Sequence, residues 1–215
     1  MKLKPKSKLV MMGDSITDAG RVRPIAEGLF DPLGNGYVAL VNSSLGAVYP
    51  GHLIRVVNVG CGGETVRSVK ARWQTDVFDL KPDWLSIMLG TNDVWRQFDL
   101  PYQPETHVGI KEYETTLEEL IATTLPRLQS MVLMTPFFIE PNRQEPMRAR
   151  MDEYGAVVKK LAAKHGTLFV DTQAAFDAVL QHLHPATLAW DRVHPNSTGH
   201  MILARAFLKA IDFEG

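Results

Sequence analysis

Apolar positions along this chain follow two different periods. Short, nearly continuous apolar runs at 9–12, 54–59, 84–89, 131–135 and 168–171 have the length of buried strands. The third, Trp84-Leu-Ser-Ile-Met-Leu89, is almost wholly apolar, as expected of a parallel strand covered on both faces. Between the runs, apolar residues recur at helical spacing. One set is Tyr37, Leu40, Val41, Leu45 and Val48, and the next is Val66, Val69, Trp73, Val77 and Leu80. A third is Tyr113, Leu117, Leu120, Ile121 and Leu125, and a fourth is Met147, Met151, Tyr154, Val158 and Leu161. The segment 195–211 reads as a closing helix, with Pro195 in its first turn, where a missing N–H costs nothing. Strand–helix alternation of this kind predicts an α/β fold, a five-stranded parallel sheet with helices on both faces. No repeat, low-complexity tract or Gly/Pro/Ser-rich linker interrupts it, so residues 1–215 are expected to form one domain.

Composition narrows the function classes. A hydrophobic content of 45% with a net charge of -1 gives no electrostatic reason to expect nucleic acid or an anionic membrane as partner. No apolar run approaches the roughly 20 residues that span a bilayer. Lys2, Lys4, Lys6 and Lys8 resemble the start of a signal peptide. The apolar stretch after them is too short for one, so they are expected to form a solvated leader to the first strand. The single cysteine, Cys61, excludes an intramolecular disulfide and fits a reducing compartment, which points to the cytoplasm.

Candidate chemistry gathers where strands end. Gly13-Asp14-Ser15 follows the first strand and supplies a hydroxyl. Asp191-Arg-Val-His194-Pro, before the last helix, supplies an imidazole and a carboxylate three residues away, close enough to orient it. A serine hydroxyl needs such a positioned base to attack an acyl carbon. Asn58-Val-Gly-Cys-Gly-Gly63-Glu-Thr65 and Gly90-Thr-Asn92-Asp93 follow the second and third strands and offer amide donors for an oxyanion. In open parallel sheets the crevice outside the carboxyl ends of the strands is where ligands bind.

These four blocks, in this order, resemble those of the SGNH hydrolases, also called GDSL esterases. Ile16 stands where the family's name records leucine. Further stretches, among them Asn92-Asp-Val-Trp95-Arg96-Gln, Met134-Thr-Pro-Phe and Ala189-Trp190-Asp191, are similar to the intracellular acetylxylan esterases of that family. The resemblance implies a three-layer, flavodoxin-like α/β/α fold and a triad of Ser15, Asp191 and His194. It implies an oxyanion hole made by the N–H groups of Ser15 and Gly63 and the Asn92 amide. It implies acetylated xylo-oligosaccharides as substrate, no cofactor, and a homo-oligomer such as an octamer. Another short-chain ester, or a binding module on a hydrolase scaffold, remains the alternative.

Each residue also has a plainer reading. Ser15 fits a helix N-cap, and Gly63 a turn glycine with positive φ. Asn58 and Thr65 are expected to brace their loop. Asp191 and His194, with His182 and His184 nearby, suggest metal ligands, but no familiar ligand spacing completes a site, so none is expected. His52, His107, His165 and His200 read as surface or packing residues, and Cys61 as a small buried filler beneath its loop. Trp95, Arg96 and Trp190 flank the blocks. They suit sugar stacking and hydroxyl recognition, or equally a core or a subunit interface.

Overall fold

In the computed structural model, which describes residues 1–24 and 26–215, the five apolar runs form five strands. β1 (Lys8–Gly13), β2 (Arg55–Asn58), β3 (Trp84–Met88), β4 (Ser130–Met134) and β5 (Leu168–Val170) make one parallel sheet in the order β2-β1-β3-β4-β5. Met11 of β1 pairs with Asn58 on one side and Ser86 on the other, so β1 lies inside the sheet. Every residue of β3 is buried, as is β1 beyond Lys8, which requires cover on both faces.

Among the described residues, eight α-helices supply that cover: α1 (Ser15–Asp18), α2 (Tyr37–Val48), α3 (Val66–Ala71), α4 (Thr91–Asp99), α5 (Ile110–Thr124), α6 (Pro146–His165), α7 (Thr172–Leu180) and α8 (Ser197–Ala210). α2 and α7 pack on α8, while α3 packs on α5, and α4 and α5 pack on α6. Two helical layers therefore enclose the sheet, giving the expected α/β/α architecture. The ends of α6 show how the sequence delimits an element. Pro146 opens it, the Glu145 carboxylate accepts the Arg148 N–H at 2.7 Å, and Gly166 closes it at φ 67. Lys164 and His165 occupy its last turn, where positive charge meets the negative helix end.

Two expectations need correction, and two features lie outside what the apolar pattern predicts. α4 and α7 form on segments whose apolar periodicity is too short to mark them; among apolar side chains, only Val94 of α4 and Phe176 of α7 are fully buried. The helix expected over 66–80 is broken, because α3 ends at Ala71 and a π-helical turn, Gln74–Phe78, follows. That extra residue per turn still buries Val66, Val69, Trp73 and Val77, but leaves Leu80 only partly covered. α8 starts at Ser197 with Asn196 as its cap, its side chain accepting from Thr198 and Gly199, so Pro195 precedes the helix. Lys2, Lys4 and Lys6 are exposed, yet Leu3 between them is buried, so the leader is anchored as well as solvated.

Candidate active site

β1 ends at Gly13, and the chain turns at once into α1. A side chain at Gly13 would overlap Thr17 and approach the Met88 carbonyl to 2.9 Å, so only glycine permits this turn. Asp14, not Ser15, caps α1: its carboxylate accepts the Ile16 N–H at 3.0 Å. Ser15 is therefore the first residue of the helix. Its N–H has no intrahelical acceptor and lies at the positive end of the dipole. The N-cap reading of Ser15 is thereby replaced, and its hydroxyl is turned elsewhere.

That hydroxyl meets the opposite end of the chain. Ser15 Oγ lies 2.8 Å from Nε2 of His194, and Nδ1 of the same ring lies 2.7 Å from Asp191 Oδ2. A carboxylate at Nδ1 selects the tautomer with Nδ1 protonated, leaving Nε2 as an acceptor for the serine proton. The other Asp191 oxygen accepts the N–H groups of Val193 and His194, at 3.0 and 2.8 Å. Partial burial pushes the Asp191 carboxyl up. The imidazole and the two N–H groups outweigh it and hold the carboxyl below its ordinary value. Arg192, inside this turn, adopts φ 63, a costly conformation for a residue with a side chain. Its guanidinium bonds Glu140 at 2.6 Å, and its carbonyl accepts the Ile139 N–H at 2.9 Å, so the loop after β4 holds the strained turn in place.

The glycine block runs alongside Ser15. A Cβ on Gly62 would stand 3.9 Å from that of Ser15, and Gly63 adopts φ +78, which glycine alone takes without strain. Cys61 N–H donates to the Gly13 carbonyl at 3.1 Å, tying the loop to the end of β1. The Cys61 side chain itself is half-buried rather than enclosed. Asn58 braces the loop as expected. Buried, it donates to the carbonyls of Thr17 and Leu33 at 2.7 and 2.9 Å and accepts from Gly60 at 2.9 Å. Thr65 caps α3 in a reciprocal arrangement with Ser68. Asn92, in the first turn of α4, gives one amide hydrogen to the Glu64 carbonyl at 3.0 Å, leaving its second hydrogen for another acceptor.

The three flanking residues separate. Trp95 is half-buried, its ring centroid 5.7 Å from that of His194, so the two rings lie side by side. Arg96 pairs with Asp99, and its second nitrogen lies 3.4 Å from the Asn92 carbonyl oxygen. Trp190 is 86% exposed beside Asp191. His184 accepts the Ala186 N–H at 3.2 Å as a turn cap. His200 is buried, accepts the Tyr37 N–H at 3.2 Å, and is pushed down to about 4, first by burial and then by His194.

Two buried carboxyls received no role from the sequence, although both lie inside the blocks. Burial pushes Asp14 up to about 6, against the pull of the Ile16 N–H and of His194. It pushes Asp93 up to about 7, against the Val66 N–H and its own N–H. The available signal was an acidic residue just after a buried strand, next to a residue of the candidate site.

A serine, imidazole and carboxylate in one hydrogen-bonded line, at the carboxyl edge of a parallel sheet, are the parts of a serine hydrolase. Residues 11–202 match the GDSL-like lipase/acylhydrolase family, and the chain belongs to it. It is 60% identical to an acetylxylan esterase of Geobacillus stearothermophilus over 214 residues, all of this chain and 98% of that one. The crystal structure of that esterase superposes with a TM-score of 0.98, over 100% of this chain and 98% of the other. The S15A, D191A and H194A forms of the esterase, each at TM-score 0.98, are catalytic mutants of it. An α/β hydrolase from the metagenome of Lake Arreo, Spain, is 56% identical, with TM-score 0.98 over 99% of this chain and 98% of its own.

Proposed function

We propose that this chain is an acetylxylan esterase that removes O-acetyl groups from the xylose units of xylo-oligosaccharides through an acyl-enzyme. The observation that carries the reading is the unbroken line from Ser15 Oγ through the His194 ring to Asp191, with links of 2.8 and 2.7 Å. His194 takes the serine proton as Oγ attacks the acetyl carbonyl, and Asp191 stabilises the imidazolium that forms. The Ser15 and Gly63 N–H groups and the free Asn92 hydrogen receive the oxyanion. His194 then protonates the leaving sugar oxygen, the bond between that oxygen and the acetyl carbon breaks, and the acetyl group stays on Ser15 Oγ as an ester. Water, deprotonated by His194, attacks this ester and releases acetate with the serine proton restored. No cofactor enters the cycle.

Support for the sugar comes from Trp190, whose open face beside the triad suits stacking on a pyranose ring, and from the acetylxylan esterase at 60% identity. The reading includes a homo-oligomer, with an octamer as its expected size, and a cytoplasmic site of action suited to the one free thiol. No described helix is long and apolar enough to cross a membrane.

Acyl-chain and leaving-group preference test the assignment. An extra methylene that does not fit costs ~1–3 kcal/mol, or ~10–200-fold in rate. Acetyl esters should therefore far outpace butyryl esters, and acetylated xylo-oligosaccharides should outpace alkyl acetates, because sugar contacts add binding away from the reacting carbon. A profile that rises toward octanoate, or ignores the sugar, would instead assign a lipid-type ester.

A further inference from the structure

Asp93 is fully buried, yet it makes no ion pair among the described residues. One carboxyl oxygen accepts the Val66 N–H at 3.0 Å, and the other has no hydrogen-bond partner among the described residues. A buried carboxyl left half-satisfied is costly to the fold, so packing alone gives no reason for it. Its one bond to another segment reaches the first residue of α3. The preceding residue, Asn92, donates to the carbonyl of Glu64 in the same segment at 3.0 Å. Consecutive residues of α4 thus hold both ends of segment 64–66, one by donating and one by accepting. Gly63, whose N–H is offered to the oxyanion, is the residue just before that segment. We infer that Asp93 is a positioning residue that sets the oxyanion hole by clamping segment 64–66 against α4. The inference rests on the esterase reading proposed above.

The clamp has the rigidity the task needs. Asn92 and Asp93 sit in the first turn of a helix fixed to the end of β3, and both are buried. On the other side, Thr65 and Ser68 cap α3 reciprocally, and the Glu64 carboxylate lies 3.2 Å from Arg72 Nε. A slip of segment 64–66 along α4 breaks the Asp93 and Asn92 bonds together, since one needs an N–H and the other a carbonyl at fixed places. Loss of the Asp93 acceptor frees the segment at one end and lets the Gly63 N–H drift from the oxyanion. A misplacement of about 1 Å at a catalytic group costs up to ~100-fold.

The test is steady-state kinetics on an aryl acetate with D93A, D93N, N92A and the double variants, and S15A as control. D93A should lower kcat by ~10–100-fold with KM little changed, because the oxyanion forms only in the transition state. D93N keeps an acceptor facing Val66 and should recover most of that kcat. In the N92A background, D93A should cost less than about threefold, because the two residues act on one segment. Full multiplication of the two losses, a loss carried by KM, or D93N as slow as D93A would overturn the clamp. If D93A does not fold, Val66→Pro removes the same N–H at a first helical position, where proline is tolerated. Wild-type kcat in V66P overturns the clamp, and a loss like that expected of D93A supports it. An inactive S15A beside an unaffected D93A would sink the clamp alone, whereas an active S15A would sink the esterase reading beneath it.

Discussion

Replacing Asp93 with asparagine should change how stability depends on pH. In the folded chain the Asp93 carboxyl keeps its proton up to about 7. In the unfolded chain it releases that proton near ~3.9. Between these values the folded state binds the extra proton, so Asp93 favours folding at low pH and this contribution is lost as pH rises. Each unit of pH is ~1.4 kcal/mol, so about three units set an upper bound near ~4 kcal/mol, of which ~2–3 kcal/mol falls between about pH 5 and about pH 8. Asp14, pushed up to about 6, acts in the same direction. His200, pushed down to about 4, acts oppositely, because it must give up a proton to fold below its unfolded value near ~6.5. Subtracting the D93N curve from the wild-type curve removes both, and the cost of a buried amide hydrogen, where the second Asp93 oxygen has no partner among the described residues, remains only as a pH-independent offset. Urea unfolding at several pH values across that window would measure it. D93N should gain on the wild type by ~2–3 kcal/mol from the acid to the alkaline end. Parallel curves would refute the reasoning, since they would mean that Asp93 titrates alike in both states.

Other perturbations bear on the proposed mechanism directly. Ser15→Ala and His194→Ala should each remove nearly all turnover in a folded protein, and the double variant should be no slower than the singles. Asp191→Asn should lower kcat by up to ~10⁴, by favouring the tautomer with Nε2 protonated; near-normal turnover would assign another group to orient His194. Asn92→Ala should raise the barrier by roughly 3 kcal/mol, seen in kcat, whereas an effect confined to KM would make Asn92 a ground-state contact. Trp190→Ala should depress turnover of an acetylated xylo-oligosaccharide far more than that of a small aryl acetate, and equal losses on both would remove the stacking role.

Much of this molecule was legible in its sequence because the strands of an enclosed parallel sheet are continuously apolar. The run at 84–89 needed no pairing information to be read as β3. α4 was hidden for the opposite reason. Its first turn, Thr91-Asn92-Asp93, is polar yet buried, so periodicity reported the chemistry of the site and concealed the helix beneath it. α7 is short and rich in alanine, and Phe176 is its one fully buried apolar side chain. Within the site, the residue types and spacing of Ser15, Asp191 and His194 announced them. The place of Trp95 beside the His194 ring and the attachment of Arg96 to Asn92 are three-dimensional facts, for which adjacency to a motif gave only the neighbourhood. The role inferred for Asp93 depends on which N–H it meets, and that N–H lies 27 residues away.

Ser15 and His194 are 179 residues apart, although β1 lies inside the sheet. Chains emerge from the ribosome amino end first, at ~5–20 residues per second, so the hydroxyl is exposed about ten seconds or more before its base exists. On the proposed mechanism the nascent chain lacks turnover during that interval, however much of the sheet has formed. Turnover begins only when the last helix docks and carries the turn before it onto the first. Hydrolysis of a fluorogenic acetate would therefore report completion of the whole fold, and would stay silent for a chain stalled short of α8.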